Sequence, residues 1–467
     1  MAATTNRYLE GQFAPVTEEV TVHDLPITGR IPAELNGRYL RNGPNPLGLD
    51  DPAAHHWFLG EGMVHGVRLR NGKAEWYRNR WVRSASVADT LGEQHRPGPV
   101  DGMDFAPNTH VIAHAGRTLA LVESGPRPYE LTYDLDTVGP YDFDGTLPAG
   151  YAAHTKLDPH TGELHAIAYY WARPDAVQHV VVDAGGRVIR AQDVAVADGP
   201  MMHDFALTER YVILYDLPVT FSMEAAAAGV RLPYVWNEAH GARIGVLPRS
   251  GTAADVRWLD VEPCWVFHTL NAYDDGDRIV LDVSRHPRMF DVSRPVGTGV
   301  PTLDRWTLDL AAGKVIEERL HDRGQEFPRV DERVVSGAHR YGYTATTEDL
   351  MGLLMPDTED MEDLDDDAFG NALLKHDLAR GTVETHEFGR DAVVGEAVFA
   401  PSSPDGAEDD GYAIAFVHNP DRNATDLVIL PAQDFTGDPV AAVHLPVRVP
   451  LGFHGSWVPD EDTGSGR

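Results

Sequence analysis

Apolar residues along this chain come in short runs of β-branched, aromatic and aliphatic side chains. Each run is stopped by glycine, proline or a polar turn, without the three-to-four spacing of amphipathic helices. AGRTLALVES, GELHAIAYYWA, ERYVILYDLPV, DRIVLDVSRH and GYAIAFVHN are runs of this kind. Between them stand hairpin signals: RNGK at Arg70–Lys73, HAGR at His114–Arg117, PHTGE at Pro159–Glu163, DDGD at Asp274–Asp277 and LAAGK at Leu310–Lys314. Their glycines adopt the positive φ that tight turns between strands require. Two segments read as helices, SMEAAAAGV near Ser222 and FGNALLKHDLA near Phe369. Strand after strand with no long helical period argues against βαβ units and for a closed antiparallel all-β architecture. The acidic run DTEDMEDLDDD, Asp357–Asp367, reads as a solvated loop, since it lacks the ligand spacing of an EF-hand calcium site.

Composition narrows the function. A length of 467 residues with 42% hydrophobic residues supports a substantial core. Against 39 Lys+Arg stand 72 Asp+Glu, and the net charge of -33 repels phosphate backbones and anionic lipid surfaces, so nucleic acid is excluded as a partner. Cys264 is the one cysteine, which rules out an intrachain disulfide. The N-terminal MAATTNRYLEGQFAP lacks a basic head and apolar run, and no apolar stretch of about 18 residues is present to cross a bilayer. A cytoplasmic protein is expected, with a monomer favoured. The chain is expected to form one domain over 1–467, with 1–24 as an N-terminal arm and 460–467 as a disordered tail.

Histidine is abundant, at 22 residues, so most must be ordinary packed or surface side chains. His55, His56 and His65 in HHWFLGEGMVH, and His110 and His114 in NTHVIAH, are spaced like metal ligands, but such pairs in strand-rich surroundings indicate no common site. Four others stand alone at the starts of strand pairs: His154 in YAAHTKLDPHTGEL, His203 in MMHDFALT, His268 in VFHTLNAY and His454 in GFHG. The first two intervals between them are similar, and the last is close to three such intervals, as if like positions recurred on successive blades of a ring with two skipped. A propeller of about seven blades would gather these inner-strand starts at its axis, where four imidazoles could face one ion such as Fe, Zn, Cu or Ni. It would also explain a histidine so near the C-terminus, where chains are usually least ordered.

In order, GRYLRNGPNP, HHWFLGEGMVHGVRLRNGKAEWYRNRWVR, AHTKLDPHTGEL, MMHDFALT, FHTLNAY, EFPRVD, GEAVFAP and GFHG resemble the carotenoid cleavage oxygenase family, from about Leu25 to Pro459. The resemblance implies an all-β fold, a seven-bladed β-propeller with a cap of loops and short helices over an axial metal site. It implies one non-haem Fe2+ held by His154, His203, His268 and His454, with O2 as co-substrate. It also assigns Glu123 in LALVESGP, Glu326 in GQEFPRV and Glu396 in VVGEAVF as carboxylates behind the histidines. A ligating imidazole needs its far N–H held by an acceptor, and three acids offset the charge of a divalent ion surrounded by neutral rings. Thr109 in PNTHV matches the small residue beside an open coordination position, where its methyl would direct dioxygen to the other open position.

The implied reaction splits a conjugated carbon–carbon double bond, held in an apolar tunnel, into two carbonyl products. Trp57, Phe58, Phe105, Tyr343 and Phe453 are the candidate tunnel residues. Carotenoids or apocarotenoids and hydroxystilbenes are the substrate classes that the resemblance offers. Stilbene cleavers place a lysine before the glutamate behind the histidine, and Val122 stands there in this chain, which favours a polyene. The segment Asp216–Trp236 has few large apolar residues where membrane-facing relatives carry a long apolar insertion. At most weak peripheral membrane contact is therefore expected, with an apocarotenoid delivered from solution. A stilbene dioxygenase, a zinc or iron isomerohydrolase or lyase, and a non-catalytic scaffold are the competing readings.

Overall fold

The computed structural model describes residues 6–100, 104, 107–291, 299–347 and 370–460. Hydrogen-bonded antiparallel strands form seven sheets arranged as the blades of a propeller, plus one small two-stranded sheet. Blade 1 contains Gly37–Pro44, Gly62–Arg70 and Lys73–Trp81, and blade 2 runs from His110–His114 to Thr137–Pro140. Blades 3, 4, 5 and 6 begin at Thr155–Leu157, Phe205–Leu207, Trp265–Asp275 and Gln325–Arg329, while blade 7 holds Val398–Pro401, Gly411–Asn419, Ala424–Pro431 and Ala441–His444. From blade 2 to blade 7 the strand named first lies nearest the axis, where neighbouring inner strands meet.

The ring is closed twice. Ile27–Gly29, from the N-terminal part of the chain, pairs antiparallel with Ala441–His444 of blade 7. Gly455–Pro459, from the C-terminal part, pairs with Gly37–Pro44 as the inner strand of blade 1. Each terminal strand thus satisfies backbone groups that an open edge would leave unpaired. Thr21–His23, within the expected arm, adds the outer edge of blade 1 by pairing with Lys73–Trp81. Asp460, where the expected tail starts, donates its N–H to Asn36 O at 3.0 Å and its carboxylate pairs with Arg68.

The hairpin signals fall where the sequence placed them. Arg70 pairs with Lys73 across Asn71 (φ 50) and Gly72 (φ 72), and His114 pairs with Arg117 across Ala115 (φ 48) and Gly116 (φ 75). Both central residues of each turn are left-handed, which matches the twist of the flanking strands. Apolar side chains between adjacent blades form separate seams. Leu40, Val64, Val111 and Leu131 pack between blades 1 and 2, while Tyr39, Val67, Ile414 and Ile429 pack between blades 1 and 7. A larger cluster joins blades 4 and 5 to the cap.

Of the two expected helices, α2 (Met223–Ala227) forms, with Ser222 Oγ accepting from Ala225 N at 3.1 Å. The other expectation is corrected: Ala372–Asp377 is a strand of blade 6, paired on both sides and buried throughout. Leucine and alanine favour a helix in isolation, but two hydrogen-bonding neighbours and burial of both faces override that preference. Phe369 and the acidic run Asp357–Asp367 lie outside the described residues. A helix not expected from the sequence, α1 (Ala85–Leu91), is capped by Ser84 and ended by Gly92 at φ 68. Among the described residues, no helix is long and apolar enough to cross a membrane.

Between the second and third strands of blade 4 the chain leaves the propeller to form α2 and the small sheet Val219–Phe221 with Tyr234–Trp236, which belong to the cap. His240 pins its return. Its Nε2 lies 2.7 Å from Asp216 Oδ1 and its Nδ1 3.0 Å from Asp198 Oδ2. The hydrogen bond to Asp216 raises the imidazole above its ordinary value, with Asp198 adding to the effect and burial opposing it. A group raised on folding contributes stability fully below its unfolded pKa and loses it as pH rises through the folded value. Between pH about 6 and about 9, wild type is therefore expected to lose more thermal stability than His240→Gln, as read by melting temperature.

Candidate metal centre

The propeller axis brings together side chains that the sequence separates. His154 immediately precedes the inner strand of blade 3, and His454 that of blade 1. His203 stands just before the inner strand of blade 4. His268 lies within the inner strand of blade 5, where the pairing register shifts between Val266 and Thr269. That irregularity takes His268 out of the ladder and turns its ring toward the other three. Ring centroids are 4.3 Å apart for His154 and His203, 5.3 Å for His203 and His268, 4.7 Å for His268 and His454, and 4.7 Å for His154 and His454. One nitrogen from each of His154, His268 and His454 falls within 4.8 Å of the others, and Glu123, His154 and His203 form a second such group.

Carboxylates stand behind three of the four rings. His268 Nδ1 donates to Glu326 Oε2 at 2.6 Å, and His454 Nδ1 to Glu396 Oε1 at 2.8 Å. His203 Nδ1 lies 3.2 Å from Glu123 Oε1. With Nδ1 committed by these hydrogen bonds, the rings of His268 and His454 are left with Nε2 for the centre. The Nε2 atoms of His154 and His268 are buried without a hydrogen-bond partner, an arrangement that costs free energy unless something else accepts those lone pairs. A divalent cation fits this donor set.

The electrostatics point the same way. Burial lowers the His154 imidazole well below its ordinary value, and the three neighbouring rings add to that effect. His454 is lowered by burial, against the pull of Glu396. His268 differs: burial lowers it, yet Glu326 together with Asp204 and Glu396 outweighs burial and the net shift is upward. Burial would raise Glu326 and Glu396, but the imidazoles, together with Arg329 in the case of Glu396, hold both carboxyls far below the usual range. Both acids are therefore ionised, Glu396 against Arg329 and Glu326 against His268 and His286.

Several partners of these acids were not legible in the sequence. His286 Nε2 donates to Glu326 Oε1 at 2.7 Å, and Phe327 N to Glu326 Oε2 at 2.6 Å. Glu396 Oε2 accepts from Gly455 N at 2.8 Å and lies 2.9 Å from Arg329 Nη1, which also donates to Gly455 O. His286 and Arg329 come from strands whose pairing the sequence does not state, so only the fold reveals them. Thr109 sits at the start of blade 2, where its carbonyl accepts from His454 N at 3.0 Å and its hydroxyl donates to Asn108. The other metal-like histidines go elsewhere. His65 is 2.9 Å from the Tyr77 hydroxyl, His114 is 3.2 Å from Gly162 O, and His55 and His56 belong to the cap. His110 is the nearest of them, 5.5 Å from the His454 ring, but its nitrogens face the carbonyls of Ala153 and Gly455, and burial pushes it down to about 3.

A cavity of about 630 Å3 leads to the cluster. Trp57, Phe58 and Phe453 line it as a packed aromatic group, with ring centroids 4.7 Å apart for Trp57 and Phe453 and 5.6 Å for Phe58 and Phe453. Thr109, Val122 and Glu123 are also on its wall. Tyr343 is not: it is corrected to a core residue of blade 6, stacked on Phe399 at 5.5 Å. Phe105 lies outside the described residues. Lining residues that the sequence reading missed include Tyr169, Phe221, Tyr234, Phe267 and Phe327. Two of these carried a signal, since Phe267 precedes His268 and Phe327 follows Glu326.

The model of the family described as RPE65, retinal pigment epithelial membrane protein, matches residues 13–459. A carotenoid cleavage oxygenase of Mycobacterium tuberculosis is 48% identical over 505 aligned positions, covering 98% of this chain and 98% of the relative. Among solved structures, the lignostilbene dioxygenase of Pseudomonas brassicacearum superimposes with a TM-score of 0.87 at 28% identity, covering 97% of this chain and 99% of that one. The cobalt-substituted apocarotenoid oxygenase of Synechocystis superimposes at 0.83 with 26% identity, covering 96% and 97% of the two chains.

Replacing Glu326 tests the link between acid and ring. Glu326→Ala leaves the N–H groups of His268 and His286 buried and unpaired, so cation affinity is expected to fall roughly 10–100-fold while the strand content of the circular dichroism spectrum is kept. Glu326→Gln, which keeps an acceptor but removes the charge, should fall between. Competition against a chelator measures all three affinities, and equal values would separate the acid from the metal centre.

Proposed function

This chain belongs to the carotenoid cleavage oxygenase family, and from that membership we propose that it is a ferrous-ion dioxygenase acting on a carotenoid or apocarotenoid. One conjugated double bond is broken, and each of its two carbons takes one oxygen of O2, giving two carbonyl products. The observation that supports this reading is the clustering of four imidazole rings, with neighbouring centroids 4.3–5.3 Å apart, at the end of an aromatic cavity. His154, His203, His268 and His454 would hold the iron, and Glu123, Glu326 and Glu396 would orient three of those rings. Ferrous iron, when bound, supplies the one-electron chemistry that lets dioxygen react with an alkene.

The protein's own part is position and dryness. Trp57, Phe58 and Phe453 form a wall against which a flat conjugated chain can lie, and the burial of Trp57 and Phe453 keeps water from the reacting carbons. Thr109 narrows the cavity next to the cluster, and its hydroxyl is already given to Asn108, so it offers a methyl and not a donor. Val122, beside Glu123 on the cavity wall, has no charge with which to hold a phenol oxygen. That favours a polyene over a stilbene, although a lignostilbene dioxygenase shares the fold.

The reading is tested by purifying the protein without air and measuring bound metal. Turnover of β-carotene, an apocarotenal and a hydroxystilbene under isotopically heavy dioxygen then follows by mass spectrometry. One iron per chain and two carbonyl fragments of the polyene, each carrying one heavy oxygen, are expected. Turnover confined to the hydroxystilbene, or products formed without oxygen consumption, would overturn the substrate or the reaction respectively.

A further inference from the structure

A second cavity, of about 330 Å3, reaches the same histidines from another side. His154, His268 and His454 belong to its wall, and His268 and His454 belong to the wall of the aromatic cavity as well. The imidazole cluster is thus a partition between two spaces. The second space is framed by inner strands of the blades, among them Thr155–Leu157, Phe205–Leu207 and Gly455–Pro459, so it follows the propeller axis. Ala113, Leu157, Glu332 and Pro459 line it and are exposed, which places its mouth at the protein surface.

We propose that this axial cavity is the port through which a divalent metal ion reaches and leaves the histidine cluster, while the aromatic cavity serves the organic substrate. The inference rests on the reading of the cluster as a metal centre. A divalent ion holds its water tightly, and the mostly apolar wall of the aromatic cavity, with Glu61 and Glu123 as its acids, offers little in exchange along most of its length. The axial cavity instead offers the carboxylates of Asp204, Glu332 and Glu396 against the two cations Lys156 and Arg329. Those carboxylates are held in place: Asp204 lies 3.0 Å from Lys156 Nζ and accepts from Thr269 N at 2.8 Å, and Glu332 accepts from Arg329 at 2.7 Å. The chain's net charge of -33 adds a long-range attraction for cations and none for a neutral polyene. Separate routes also mean that a bound polyene does not seal the metal in.

The test follows cobaltous ion entering the metal-stripped full-length protein, read as the rise of cobalt absorption in stopped flow. It is run under nitrogen with and without an apocarotenal at a concentration that saturates quenching of tryptophan fluorescence. The port predicts that apocarotenal leaves the uptake rate unchanged. It also predicts that the mouth variant Ala113→Trp/Leu157→Trp slows uptake and release alike by about tenfold or more, with the dissociation constant preserved. Should that pair fail to fold, Leu157→Lys is expected to slow uptake and Leu157→Glu to speed it, both effects vanishing at high salt. Block of uptake by apocarotenal, or wild-type rates in every mouth variant, would overturn the port and leave the metal centre standing. A wild-type protein that takes up no cobalt would end both.

Discussion

Holding four imidazoles and the ionised carboxylates behind them together at the buried propeller axis is the constraint around which this molecule is organised. In the proposed function a divalent ion would sit among uncharged ligands there. Four neutral imidazoles cancel none of an ion's charge, and in a low-dielectric interior an uncompensated charge is costly. Glu326 and Glu396 are buried and held ionised by the imidazoles they face and, for Glu396, by Arg329 as well. On the proposed reading a bound cation and these acids would stabilise one another further, with the imidazoles as the bridge between them. The acids are fixed in turn by backbone N–H groups of Phe327 and Gly455 and by His286 and Arg329, so that few of the centre's polar groups are free to reorient.

This makes the centre inseparable from closure of the ring. His454 immediately precedes the strand that completes blade 1, its N–H is held by Thr109 of blade 2, and its ring by Glu396 at the edge of blade 7. Three blades meet at that one residue. Blades 3, 4 and 5 supply the other histidines, and blade 6 supplies Glu326, so every blade contributes to a site that no single blade could form. The cap then sets what can arrive, since α2 and its small sheet stand over the aromatic cavity and His240 fastens them to blade 4.

The legible part of the fold was what local chemistry writes into adjacent residues. Asn71–Gly72 and Ala115–Gly116 declare their turns because left-handed backbone is a property of those positions themselves. The four histidines were expected from their spacing along the chain and, like Glu326 and Glu396, from motifs of the resembling family. Residues that act across strands were not legible. His286 and Arg329 look like ordinary strand residues until pairing sets them against Glu326 and Glu396. Ala372–Asp377 reads as a helix because its composition carries helix propensity, while the burial that makes it a strand comes from its neighbours. Tyr343 fails as a tunnel residue for a related reason: an aromatic in a strand can face either the axis or a seam between blades, and the sequence does not say which.

The central claim is that four imidazoles bind one ion, and X-ray absorption at the metal edge of the iron-loaded protein addresses it most directly. The account predicts a nitrogen first shell whose outer scattering fits four imidazole rings. Dropping to three rings in His454→Ala would identify the C-terminal histidine as the fourth. A wild-type spectrum that fits only two imidazoles, or that requires a carboxylate oxygen from Glu123, Glu326 or Glu396 in the first shell, would contradict it.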